Sequence, residues 1–328
     1  MSELSTATAA LTLAASEMKG AKESFELVRQ DADAAIDQVQ QEMVSTKAEV
    51  QTHSDVFSTH GRRNLLINGK PQVWQAGETF TETGYCADQW FANLSGAVCT
   101  RDPNPEKGIM FAINQDQGFG QLHQLIETAV VKQLRDKQLT FSVEFAINSE
   151  FDGDLVLEIF YSNAGDSEAE VTNSLTSKRF TPTKSEVGVE ALTFTVPSDA
   201  LGLRVAILPA NGQPINSQMG LYNAQLEIGA SNTAFEFTNY ADEFLKCCRF
   251  FYISKDSHFT RYYSGGNYNA DVYYLVPMRT LPSIIPVFFG GSFNVAQWPY
   301  ENDTETKFHM NSGDSASPIL GYTADARL

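Results

Sequence analysis

The sequence predicts a mainly β protein with an N-terminal α-helical coiled coil, a jelly-roll β-sandwich, and a second, small β domain after it. Three observations carry this expectation. Residues 8–57 contain no proline and a single glycine, and their apolar residues recur at steps of three and four. Residues 61–244 break into short alternating runs separated by Gly, Asn, Asp and Pro clusters. Residues 245–328 gather 8 of the 12 tyrosines into a formally neutral stretch. The expected divisions are a helical attachment segment over 1–60, the sandwich over 61–244, and a C-terminal domain over 245–328.

In the first segment Leu11, Ala14, Met18, Ala21, Phe25, Val28 and Ala32 keep one heptad register. A four-residue step leads to Ile36, after which Val39, Met43, Thr46, Val50, His53 and Phe57 resume it. Such a repeat winds a left-handed supercoil, and the step is a stutter that locally unwinds it. The stripe is narrow and rich in alanine, so a lone helix would gain little from it and partner helices are required. The oligomerisation seam is therefore expected at Leu11, Met18, Phe25, Val28, Ile36, Val39, Met43 and Val50. A homotrimer is the preferred assembly, although these mixed core residues leave other oligomers open.

Within the second segment Leu139, Phe141, Val143 and Phe145 alternate cleanly, as do Leu155, Leu157 and Ile159. Strands are expected over 65–68, 72–74, 137–146, 153–161, 190–196, 201–208 and 220–228, with a short helix near 121–129. Many short strands at loop spacing imply an antiparallel sandwich. In the third segment strands are expected over 246–253, 272–277 and 284–290, with Pro277 and Pro282 bracketing a kinked or edge piece.

Net charge is −17, from 23 basic and 40 acidic residues, which excludes the basic footprint of a nucleic-acid binder. Acids outnumber bases by 10 to 4 in residues 1–60 and by 23 to 12 in 61–244, but stand at 7 to 7 in 245–328. No apolar run reaches membrane-spanning length and the first residues lack a signal-peptide pattern, so no membrane insertion is expected and synthesis is cytoplasmic. The four cysteines, Cys86, Cys99, Cys247 and Cys248, form no C-x-x-C pair and read as buried free thiols. Neither G-x-S-x-G, H-E-x-x-H nor a P-loop occurs, and the five histidines are scattered. The expectation is a protein without enzymatic activity, metal or cofactor. For recognition the candidates are aromatics beside turn residues: Tyr262, Tyr263 and Tyr268 around the 264–267 turn, and Trp298 and Tyr300 before the acidic 301–303 loop. Exposed rings of this kind stack on sugar faces while Asn and Asp bond the hydroxyls.

Several phrases resemble a known family. Asn64-Leu65-Leu66-Ile67-Asn68-Gly69, then Gln72-Val73-Trp74-Gln75-Ala76-Gly77 and Gly84-Tyr85-Cys86-Ala87-Asp88-Gln89-Trp90, are similar to the opening of a jelly-roll domain common in phage tail fibre proteins. Its end is matched by Ala224–Ala230 and Ala234-Phe235-Glu236. Glu243–Phe251 and Val276–Pro282 resemble that family's C-terminal β region. The same jelly roll resembles carbohydrate-binding modules, which often hold calcium through an early acid and a late Asp; Lys70-Pro71-Gln72 and Asn223 depart from that pattern, so no calcium is expected. The resemblance implies a structural virion protein, made in the host cytoplasm and carried on the virion as a tail fibre. It would join other tail or baseplate proteins through its N-terminus and bind host-surface glycan or protein multivalently. Read as residues, Trp74 and Trp90 are expected as core or inter-strand plugs, Asp88 as a loop cap or tie and Arg279 as an ion-paired strand residue. A head fibre or baseplate spacer without a receptor, and a glycan depolymerase, are the alternative readings.

Overall fold

A computed structural model describes residues 63–104, 108–254, 267–288, 304–313 and 319–327, together with Met18–Gly20, Lys22, Ile36 and Gln38. At 267–272, 286–288, 308–313 and 319–321 only the backbone is described. Met1–Gly61 form one unit and Arg62–Leu328 another. In the first unit Met18 and Ile36 are helical and exposed. The other seam positions, Leu11, Phe25, Val28, Val39, Met43 and Val50, lie outside the described residues.

The second unit begins with a β-sandwich. Its strands are β1 (Thr79–Phe80), β2 (Gly84–Tyr85), β3 (Phe91–Ser95), β4 (Ala97–Arg101), β5 (Ile109–Ile113), β6 (Phe119–Ile126), β7 (Gln138–Ile147), β8 (Leu155–Ser162), β9 (Asn173–Phe180), β10 (Val187–Thr195), β11 (Gly202–Pro209) and β12 (Gln218–Ile228). They form two antiparallel six-stranded sheets, β1-β4-β5-β12-β7-β10 and β2-β3-β6-β11-β8-β9, the architecture of a jelly-roll sandwich. The alternation read from sequence is the inward set: Leu139, Phe141, Val143, Phe145 and Ile147 of β7 and Leu155, Leu157 and Ile159 of β8 are all buried. The short helix expected at 121–129 is a correction. Residues 119–126 are strand β6, and the helix follows at Thr128–Leu134. The strands expected at 65–68 and 72–74 are not strands either. Those residues form a compact plug whose polar groups are bonded by side chains rather than by a ladder.

Two asparagines organise that plug. Asn64 accepts from the backbone N–H of Leu66 and Leu226 and donates to Ala224 O at 3.0 Å. Asn68 is fully buried with φ 56°, a left-handed conformation that asparagine tolerates better than most residues. Its side chain donates to Val73 O and Asp88 O and accepts from the backbone N–H of Gln72 and Val73. Its carbonyl receives the Trp90 indole N–H at 2.9 Å. Gly69 is required by space: a Cβ there would lie 2.5 Å from Asn64 Nδ2 and 2.6 Å from Ala224 O. Trp90 is completely buried, while Trp74 is half-buried and stacks on Phe80 with ring centroids 6.3 Å apart.

At the sandwich's end the chain crosses the outer side of β12. Glu227, buried, accepts from the Thr233 N–H and hydroxyl and from Gln225 Nε2. Gln225 Oε1 accepts from Glu236 N. The phrase 224–236 is thus a strap held to its own strand. Where a strand was expected at 246–253, the chain forms a helix over Tyr240–Cys248 and only then β13 (Phe251–Ser254). Asn239 caps the helix by accepting from Asp242 N at 2.9 Å, and Asp242 and Glu243 in its first turn favour its positive end. With β14 (Asn267–Tyr273), β15 (Ser283–Phe288), β16 (Lys307–Gly313) and β17 (Ile319–Asp325) the chain builds a β13-β17-β15 sheet and a β14-β16 pair. Tyr274, Met278, Tyr322, Ala324 and Ala326 form a small core there, with Tyr252 and Ile284 packed on it.

This small sheet is tied to the sandwich by polar contacts. Gln75 donates to Phe251 O at 2.7 Å, accepts from Ile253 N, and at its other side is bonded by Asp88. Arg249 forms a two-pronged pair with Glu127, at 2.9 and 3.3 Å. Arg279 reaches Asp166 at 3.6 Å and donates to Ala326 O; it lies in a bend, not on the strand expected. All four cysteines are buried thiols. The Cys99 thiol is pushed up by its hydrogen bond to Cys86 and by burial, and Cys248 is pushed up to about 12 by burial and the nearby Asp88 carboxylate.

Replacing Asn68 by Ala leaves several buried N–H and C=O groups without their partner. The expected loss is about 2–4 kcal/mol of unfolding free energy, read from a urea titration. A loss under about 1 kcal/mol would show that these groups find other partners.

Candidate functional site

The outer side of the β2-β3-β6-β11-β8-β9 sheet presents a row of rings and polar groups. Alternation sends Leu122 and Ile126 of β6 into the core and His123 to the other side. Cross-strand pairing then sets His123 opposite Phe91 of β3 and Ala206 of β11, Tyr85 opposite Phe91, and Ala206 opposite Glu158 of β8. The rings touch: Tyr85 meets Phe91 edge-on at 5.3 Å, and Phe91 stacks on His123 at 4.9 Å and 21°. Gln121 and Asn93 lie beside this row on the same side, at paired positions of β6 and β3. On the other flank Arg204 lies 4.1 Å over the Phe160 ring, and Glu158 accepts from Ser174 at 2.9 Å.

The loop between β8 and β9 closes one end. Glu168 bonds His123 Nε2 at 2.8 Å through one oxygen and Arg204 at 2.9 Å through the other. Asp166, two residues earlier, accepts from Thr128 N at 2.7 Å and faces Arg279. Burial holds the His123 imidazole below its ordinary value of 6.5, against the pull of Glu168. Burial works against the Glu168 carboxylate as well, but the bond from His123 and the Arg204 guanidinium outweigh it and hold it below the usual carboxylate range. A neutral imidazole donating from Nε2 leaves Nδ1 as a bare acceptor, and Nδ1 is buried with no partner. Arg204 Nε is in the same condition.

The other end is plugged. Arg327 stacks on both Tyr85, at 4.3 Å, and Phe251, at 4.0 Å, and burial raises the Tyr85 phenol. The half-buried Phe91, Gln121 and Glu158 and the exposed Asn93 are the part left accessible, while His123 and Ala206 between them are buried. An apolar-faced row flanked by acid, amide and guanidinium groups suits a ligand with one apolar face and many hydroxyls. Among the described residues no group of three or more His, Cys, Asp or Glu could hold a metal ion. A separate pocket lined by Phe111, Phe151, Gln213 and Met219 has a volume of about 10 Å³, room for one water.

Of the recognition residues expected from sequence, Tyr262, Tyr263, Trp298 and Tyr300 lie outside the described residues. Tyr268 is in β14 opposite Ser312, where only the backbone is described. The row of Phe91, His123, Arg204 and Glu168 was not anticipated. Residues 119–126 give no period-two signal, since Leu122, Leu125 and Ile126 fall at the three- and four-residue steps of a helix.

No sequence-family model matches the chain, and no curated protein sequence matches it. Solved structures with a similar fold include the enzymatically active domain of bacteriophage CBA120 tailspike protein 4, at TM-score 0.34 and 14% identity. That likeness covers 51% of this chain and 21% of the tailspike chain, so this chain spans about a fifth of its length. The carbohydrate-binding module TmCBM61, solved with β-1,4-galactotriose, gives TM-score 0.34 at 9% identity, covering 51% of this chain and all of the module. A CBM4 module gives 0.32 at 15%, covering 50% of this chain and all of the module.

The neutral state of His123 has a consequence for pH. Below pH 6.5 the unfolded chain takes up a proton that the folded imidazole resists, so stability is lost as pH falls through that range. Thermal melts at pH 7.5 and 5.5 are expected to show a larger fall in the parent protein than in a His123→Gln variant. Equal falls would mean that the folded imidazole takes up its proton as readily as the unfolded one.

Proposed function

We propose that this chain is a glycan-binding attachment protein of a virion, a tail fibre whose sandwich face meets host-surface polysaccharide. The observation that carries the reading is the row on the outer side of the second sheet. There the half-buried Phe91 is backed by the buried His123 ring, with Gln121 and Asn93 on one flank and Glu158, Arg204 and Glu168 on the other. A pyranose presents an apolar face to such a platform and its hydroxyls to the carboxylates and amides. Each contact of this kind is weak, and a heptad-joined assembly raises the net affinity by presenting several copies on one stalk. The virion assignment is supported by the tail-fibre phrases at 64–90, 224–236, 243–251 and 276–282.

Purified full-length protein is expected to retain host polysaccharide on an affinity surface and to block adsorption of virus to cells. Phe91→Ala and Glu158→Gln are each expected to weaken retention about tenfold, the scale of one lost stacking or charged hydrogen bond. Unchanged retention in both variants would remove the ligand from this face, and absence of any binding would leave a spacer protein. Release of reducing ends from the polysaccharide would identify a depolymerase instead. A solution mass measured with and without residues 1–60 tests the stalk: the intact chain is expected to be oligomeric and the shortened one to lose mass multiplicity, and a monomeric intact chain contradicts the fibre.

A further inference from the structure

The outer side of the other sheet, β1-β4-β5-β12-β7-β10, carries an aromatic ring of its own. Along β12 the buried apolar residues are Met219, Leu221, Ala224 and Leu226. Their spacing lengthens from two to three between Leu221 and Ala224 because the strand bulges there, Leu221 pairing with Phe145 and Asn223 with Glu144. The extra residue puts two consecutive side chains, Tyr222 and Asn223, on the outer side. A Cβ on Gly220 would stand 2.9 Å from Tyr222 Cε1, so one edge of the ring rests where any other side chain at 220 would be. Glycine inside a strand weakens it and marks a close approach; here the approach is that of the Tyr222 ring.

Strand pairing builds two lines around this ring. Met110, Gly220, Ala146 and Val187 form one, and Asn223, Glu144 and Val189 form the other. Val187 and Val189 are 56% and 58% exposed, and Met110, Ala146, Glu144, Tyr222 and Asn223 are half-buried. Asn223 holds the carboxylate in place: its Nδ2 donates to Glu144 Oε2, while its own Oδ1 is left buried and without a partner. We propose that this face is a second carbohydrate site, where one pyranose of a neutral glycan packs on the Tyr222 ring and donates hydroxyl hydrogen bonds to Glu144. An apolar protein surface laid here would strip water from the carboxylate without replacing its bonds. A sugar offers a C–H face and several donors together. Neutral glycan is favoured over acidic, since Glu144 is the one ionised group on the two lines and the chain's net charge is −17. The site shares its ligand class with the proposed function and none of its residues, so each copy would hold glycan on two sides.

The test photolabels the full chain with neutral gluco-, galacto- and mannohexaose carrying a diazirine at the reducing end, and maps labelled peptides by mass spectrometry. Label is expected on residues 218–224 or 142–146, and is expected to persist in a Phe91→Ala variant. Tyr222→Ala and Glu144→Gln are each expected to weaken labelling there about tenfold, at unchanged far-UV circular dichroism. Glu144→Gln keeps the shape of the side chain and decides the matter should Tyr222→Ala fail to fold. Label confined to the Phe91 side, or label at 218–224 that neither variant reduces, would overturn the second site and leave the first. Label confined to 218–224 would overturn the first and support the second, and no label anywhere would overturn both. A fall in solution mass in Tyr222→Ala with no change in labelling would overturn the sugar site too, assigning the face to contact between copies.

Discussion

The side chain of Asn68 joins segments that no strand ladder connects. It bonds the 72–73 turn, the carbonyl of Asp88 and, through its own backbone, the Trp90 indole and the Glu243 carboxylate. Each of these is buried, so each would carry a desolvation cost if left alone, and the low local polarity strengthens the bonds that are made. With Asp88 fixed, Gln75 is fixed; with Gln75 fixed, β13 has a docking point. The C-terminal sheet therefore depends on the opening plug of the sandwich, although the two are separated by more than 150 residues of sequence.

The ring row depends on this arrangement from both ends. The β8–β9 loop reaches His123 and Arg204 through Glu168, and Asp166 in the same loop is held by the start of the Thr128–Leu134 helix and by Arg279. At the opposite end Arg327, from the last residues of the chain, seals Tyr85. The C-terminal region thus sets how much of the sheet face remains open. It also brings to the rings a charged residue that is already paired, since Arg327 bonds Asp325 while it stacks.

What the sequence made legible follows from how local each signal is. Leu139–Phe145 and Leu155–Ile159 alternate with period two and lie inside their sheets, each one strand from an edge, so pattern alone located them. β6 was misread because His123, Gln124 and Leu125 are all buried, on both sides of the strand. Gln124 points inward only because it bonds both backbone groups of Ile67 at 2.8 Å, a partner 57 residues away. The plug at 65–74 is apolar enough to resemble strands, yet its groups bond to Asn64 and Asn68 rather than to a neighbour strand. The family phrases marked these residues without revealing their partners. Nor could local pattern find the ring row, since Phe91, His123, Arg204 and Glu168 converge from three separated strands and a loop.

Glu243 sets how the helix that follows the strap is turned. A nine-residue helix has room to bury one side, and here that side must supply an acceptor to Asn68 N, at 2.5 Å, and a partner to Lys246 at 2.9 Å. Once Glu243 is turned inward, the three- and four-residue spacing places Tyr240, Phe244, Cys247 and Cys248 toward its side of the helix and leaves Asp242 and Leu245 on the other. The strap holding Phe235 and Phe237 is bonded to Gln225 and Glu227, which face outward from the β1-β4-β5-β12-β7-β10 sheet. The ring row faces outward from the other sheet. Tyr222 faces the strap's side, so contacts made there and contacts made through the rings use opposite sides of the sandwich, and one does not obstruct the other.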